Sequence, residues 1–170
     1  MESAHSIRFL YQHFLAGITE KSLNTFYHAC SYAKADYSRF MNVTAKIALH
    51  LIPEQLKSQS VFLCIDDTMI SKFGTKFENV SKLFDHAAHN GCNYLNGHCF
   101  VSLMLCVPVW NHDKIAHLAV PLGYRMWQKK ESNLELAVSM VRQVMPEFQE
   151  KKQVIILCDS WYTKRNLQRD

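Results

Sequence analysis

Two short apolar runs, each closed by an acid, constrain this chain more than anything else in it. The first is VFLCIDDTMI, residues 61–70, and the second is VIILCDSWYT, residues 154–163. Each run is too short for a free-standing helix and rich in strand formers, so each reads as a buried strand. A carboxylate at the end of such a strand is costly unless compensated, because a buried, unpaired acid tends to take up a proton. Two facing carboxylates instead make a good site for a hard divalent cation, which takes oxygen ligands. If the two strands are neighbours, Asp66 and Asp159 can share one metal ion. A pair of ions ~3.5–4 Å apart activates a water and stabilises a leaving 3′ oxygen, which is the chemistry of phosphodiester hydrolysis or strand transfer. The competing readings of the same acids are a turn or helix cap after each strand, and a phosphoacceptor domain.

The residues around these runs place them in a mixed α/β fold. Residues 1–57 read as helical. Ile7, Leu10, Tyr11, Phe14 and Leu15 recur at helical spacing, with Gly17 as a stop. A second helix is expected from near Thr19, with Leu23, Phe26, Tyr27 and Cys30 on one face. A third is expected from near Asp36, carrying Phe40, Val43, Ile47 and Leu51, and Pro53 closes it. Beyond the first strand, residues 71–97 form a long polar excursion. Strands are expected over 98–109 and 115–124, joined as a hairpin by the short turn NHDK. Ser132 and Glu135 form a capping box that opens a helix, with Leu134, Ala137, Val138, Val141, Val144 and Phe148 as its buried stripe. Residues 154–158 are the fourth strand, and another helix is expected from about Thr163. A hairpin followed by a helical crossover implies a mixed sheet, which argues against the all-parallel phosphoacceptor fold.

Composition narrows the class. The hydrophobic share of 48% supports a real core and excludes global disorder. A net charge of +4 is compatible with a nucleic-acid partner without requiring one. Cys64, Cys99, Cys106 and Cys158 all lie in apolar runs, which reads as buried free thiols in a reducing cytoplasm. No signal peptide and no apolar stretch of ~18 residues is seen, so no membrane span is expected.

The segments CIDDT, LFDHAAHNGCNYLNGHCFVSLML, LAVPLGYRMW and VIILCDSWYTKRNL resemble bacterial insertion-sequence transposases of the DDE superfamily, in the right order and from about residue 18 onward. The resemblance implies a helical N-terminal region at 1–57 and an incomplete ribonuclease-H-like core with a mixed sheet at 58–170. It implies Asp66 and Asp159 as the first two catalytic acids and as ligands of Mg²⁺ or Mn²⁺, with two ions in the intact enzyme. Asp67 is set aside, because the family's acid directly follows the apolar run. The implied partners are DNA, both transposon ends and target, and a second copy in a homodimer of the intact transposase. The family's third acid, a Glu on a later helix, has no counterpart by residue 170. The expectation is therefore a transposase fragment, inactive as this chain. The alternative is a non-enzymatic DNA-binding or inhibitory remnant.

Other residues have both a functional and an ordinary reading. Lys72, Lys76 and Lys82, interleaved with Phe73 and Phe77, suit a loop that tracks phosphate and stacks bases, or a solvated loop with inward aromatics. Arg125, Lys129 and Lys130 beside Trp127 are further candidate phosphate contacts. Lys164, Arg165 and Arg169 suit an exposed helix face. His86, His89, Cys92 and His98 are zinc-type ligands, but their spacing fits no closed zinc module, and a loop near the cleft is the favoured reading. The N-terminal helices lack a basic recognition face, which favours a packing subdomain over a DNA-binding one.

Overall fold

The computed structural model of the chain describes residues 6–32, 34, 37–74, 77–84, 93–149, 153–159 and 162. It divides into two compact units at residues 37 and 38. The first holds α1 (Ile7–His13) and α2 (Leu23–Tyr32). Ser6 caps α1 by accepting from the Phe9 N–H at 3.1 Å, and Tyr11 meets Phe26 across the pair at 5.7 Å between ring centroids. α2 begins four residues later than the sequence suggested. Neither helix buries a residue.

The second unit is a mixed five-stranded sheet with helices packed on one face. Its elements are α3 (Tyr37–His50), β1 (Val61–Ser71), β2 (Ser81–Phe84), β3 (Tyr94–Asn111), β4 (Lys114–Met126), α4 (Asn133–Val144) and β5 (Val154–Cys158). The order across the sheet is β2-β3-β1-β5, with β4 also paired to β3. β3 runs antiparallel to β1, β2 and β4, while β5 lies parallel to β1. The expected hairpin is present, and it closes at the Asn111–Lys114 pair with His112 at φ 54°. β1 is longer than expected. It runs through the two acids to Ser71, so these acids lie inside a strand instead of ending one. β2, inside the polar excursion, was not anticipated. The helix expected from Thr163 lies outside the described residues.

Alternation along the strands sets the core. Val61, Leu63 and Ile65 of β1 and Val101, Leu103, Leu105 and Val107 of β3 point to one face and are buried there. α4 lays Leu136, Ala137, Met140, Val141 and Val144 on that face, with Phe148 beyond it. Ala137, Val141, Val144 and Phe148 match the expected stripe, Leu134 packs half-buried against the core, and Leu136 and Met140 are buried where Val138 was expected. The helix gives way to a 3₁₀ turn, Met145–Phe148, at Pro146.

α3 packs on the same face through Met41, Ala45 and Ala48, followed by Ile52 and Leu56. This corrects the expected stripe: Phe40, Val43, Ile47 and Leu51 are all more than half exposed. Both stripes have helical spacing, but the one containing two alanines lets the helix approach the sheet closely. A Cβ on Gly123 of β4 would sit 3.0 Å from Met41 Cγ. Asn42 ties α3 to α4, donating to the Gln143 carbonyl at 3.0 Å and to Glu147 at 3.1 Å. α3 therefore packs on the sheet, and from Ser38 on it lies in the second compact unit. No helix among the described residues is long and apolar enough to cross a membrane.

Candidate functional site

The two acid-bearing segments are neighbours in register. Val61 pairs with Val154, and the parallel ladder runs to Ile65 opposite Cys158. Asp66 and Asp159 are the next residue of each strand, so they occupy equivalent positions at one end of the parallel pair. Asp159 is exposed, and its carbonyl accepts from the Tyr162 N–H at 2.9 Å.

The Asp66–Asp67 pair sits inside a regular strand, and a strand sends successive side chains to opposite faces. Asp66 follows Phe62 and Cys64 on the face away from α4, and it is exposed. Its carbonyl accepts from Ser102 Oγ at 3.1 Å, and its Oδ1 accepts from the Asp67 N–H at 2.9 Å. Asp67 follows Val61, Leu63 and Ile65 and faces α4. Its Oδ2 accepts from Asn133 Nδ2 at 3.1 Å and from the Cys99 thiol at 3.7 Å. Asn133 reaches it because the Ser132–Glu135 capping box fixes the first turn of α4, with Glu135 accepting from the Ser132 N–H at 2.7 Å.

Cys99 and Tyr162 lie close to Asp67. Burial pushes the Cys99 thiol up from its ordinary range; the Asn133 hydrogen bond opposes this, and the Asp67 charge adds to it. Cys99 is therefore a thiol, able to donate to the carboxylate. Tyr162 is 1% exposed, and its phenol is pushed well above the usual range by burial first and then by the charge of Asp67. The site thus has a half-buried carboxylate facing α4, an exposed one on the opposite face, and Asp159 at the end of the adjacent strand. These are oxygen donors, the kind a hard cation takes. No group of three or more His, Cys, Asp or Glu able to hold a metal ion occurs among the described residues.

The candidate basic residues are scattered. Lys72 donates its backbone N–H to the Asn96 carbonyl at 2.8 Å, and its ammonium lies 5.6 Å from the Phe77 ring. Lys82 lies 4.6 Å from the Tyr94 ring. Arg125 is half-buried and binds α4, donating to Ser139 Oγ and Gln143 Oε1 at 2.6 Å each. Its guanidinium thus has a structural use that the sequence did not suggest. Lys129, at φ 64°, and Lys130 are exposed. Of the zinc-type residues, His98 donates to the Glu78 carbonyl at 2.8 Å. Lys76, His86, His89, Cys92, Lys164, Arg165 and Arg169 lie outside the described residues.

Asp67 and Asn133 are the two residues of this cluster that sequence reasoning passed over. The parity of Val61, Leu63, Ile65 and Asp67 was readable, since all four fall on one side of an alternating strand. Asn133 left no such signal, because its role depends on where α4 begins relative to β1. Comparison of the chain with protein-family models, with curated proteins and with solved structures finds no match.

Proposed function

We propose that the chain carries the catalytic core of a DDE-type DNA transposase, which cuts and joins phosphodiester bonds with divalent metal ions. The observation that supports this most is the parallel, in-register pairing of β1 with β5, which sets the Asp66–Asp67 pair beside Asp159. The strand order adds support: three antiparallel strands in the order β4-β3-β1, a helical crossover through α4, then β5 parallel to β1. That is the order of a ribonuclease-H-like core. The partner is DNA, the enzyme acts as a homodimer, and the protein works in the cytoplasm.

In this reading the strand-end carboxylates hold Mg²⁺ or Mn²⁺. Asp66 and Asp159, at equivalent positions of the parallel pair, supply the ligands. When bound, the ions activate the attacking water or hydroxyl and stabilise the leaving oxygen. The chain's own residues fix where the phosphate lies. Rigid pairing of β1 between β3 and β5 holds the carboxylates in place, and Lys72, Lys76, Lys129 and Lys130 neutralise the DNA backbone. Arg125 contributes by anchoring α4 to β4.

Mn²⁺ titration followed by electron paramagnetic resonance tests the reading. The chain should bind Mn²⁺ weakly, and Asp66→Ala and Asp159→Ala should each abolish binding. Unchanged binding in both variants overturns it. Salt-sensitive DNA binding with no metal binding would favour the non-enzymatic alternative.

A further inference from the structure

α3 turns two different faces to its surroundings. One lies on the sheet through Met41, Ala45 and Ala48. On the outer side, Val43 and Ile47 of the helix and Leu51 just after it stand four residues apart, so they form one apolar row, and each is more than half exposed. Lys46 and His50 each come one residue before a member of this row, ~100° around the helix, and both are exposed along one flank of it. A cavity of about 400 Å³ opens on the same flank, and its walls include Lys46, Leu49 and His50 with Lys57, Pro146 and Glu147. The charges there are not equivalent. Lys57 is paired with Glu54, and Glu147 accepts from Asn42. Among the described residues Lys46 forms no ion pair. α3 itself, YSRFMNVTAKIALH, contains no acid to meet it.

We propose that this face of α3 docks an amphipathic helix of a partner protein, which lays its apolar stripe along Val43, Ile47 and Leu51 and sends an acidic side chain into the cavity toward Lys46. A helix suits the row because its own apolar residues recur at three and four residues, the spacing that packs one helix along another. From Val43 to Leu51 the row rises ~12 Å, about two turns of such a partner. An acid suits the flank because its cations receive none from α3. The same charges disfavour a second copy of this chain, since two such faces would oppose lysine and histidine with no acid between them. A nucleic acid would use Lys46 but gain little from the apolar row.

The probe is a synthetic peptide of about 18 residues, long enough to form a helix, with leucine at helical spacing on one face and glutamate beside it. A second peptide carries lysine in place of each glutamate. Fluorescence anisotropy with the full chain should show the glutamate peptide binding about tenfold or more tightly than the lysine peptide, with the difference shrinking as salt rises. Ile47→Glu puts a charge into the apolar row and should weaken binding of the glutamate peptide by about tenfold or more. Lys46→Glu should reverse the preference, so that the lysine peptide binds more tightly. A residue that only stabilises α3 would not exchange one peptide for the other. Equal binding of the two peptides, no binding of either, or unchanged binding in Ile47→Glu overturns the proposal. Anionic phospholipid vesicles and duplex DNA are measured beside the peptides; tighter binding to either, lost in the same two variants, overturns the helical partner and assigns the face to a membrane surface or to nucleic acid. If Ile47→Glu does not fold, Lys46→Glu still decides: a preference that is not reversed overturns the proposal.

Discussion

The face that α3 turns to the sheet can be tested with a pair of substitutions two residues apart. Ala45 is 0% exposed and Ile47 is 55% exposed. Ala45→Leu adds three carbons at a point where the helix lies close against β4, as the 3.0 Å between Met41 and a Cβ at Gly123 indicates. Overpacking of a dense core costs about 1–3 kcal/mol. Ile47→Ala removes a side chain that is less than half buried. Full burial of such a side chain contributes about 1.5–3 kcal/mol, so the loss here is roughly 1 kcal/mol. The better helix propensity of alanine offsets a few tenths of that, ~0.3 kcal/mol. The smaller residue is thus the milder change at 47, and the larger one is the damaging change at 45. Urea unfolding followed by circular dichroism reads both as shifts in midpoint at constant slope. A domain of this size loses ~2–4 °C of melting temperature per kcal/mol, so Ala45→Leu should lower it by roughly 2–12 °C and Ile47→Ala by at most about 3 °C. A larger loss from Ile47→Ala than from Ala45→Leu would refute the packing described here and restore the stripe of Phe40, Val43, Ile47 and Leu51 as the buried one.

Three further outcomes are expected. Gly97 pairs with both Ser71 and Ser81, and a Cβ there would collide with the Ile70 carbonyl oxygen; Gly97→Ala should cost about 1–3 kcal/mol in urea unfolding, whereas Gly17→Ala, with open space around it, should be neutral. Glu135 is held below its ordinary range of 4.5 by the Ser132 backbone N–H and then its hydroxyl, so its contribution is fully present above that value and is lost as pH falls through the lower folded pKa; melts between pH 5 and pH 3 should show less pH dependence in Glu135→Gln than in the unmodified chain, and equal slopes contradict this. Partial burial, reinforced by the Cys106 thiol 3.7 Å away, pushes Cys64 up to about 11, so iodoacetamide at pH 8 should label exposed Cys30 well before half-buried Cys64, as read by mass spectrometry of the peptides; equal rates contradict this.

Local chemistry made several elements legible from the sequence alone. The Ser132–Glu135 box needs only residues three apart, and it opens α4 as expected. The short turn at His112 and Asp113 joins two strand-forming runs, and the hairpin follows. The apolar runs at 61–65 and 154–158 are strands because they are short and rich in strand formers, while their parallel pairing is a feature of the tertiary fold. Long-range packing decided the rest. α3 offered two apolar stripes of equal helical spacing, and only the proximity of β4 selects the one with alanines, since small side chains permit close approach. The same holds for the acids. Alternation sends Asp66 and Asp67 to opposite faces whatever the fold, but nothing local says which face a helix will cover. α4 covers the face of Asp67, and it brings Asn133 to a carboxylate that lies far away in the chain. A hydrogen bond between residues so distant in sequence has no periodicity to announce it, because it exists only once the helix has docked on the sheet.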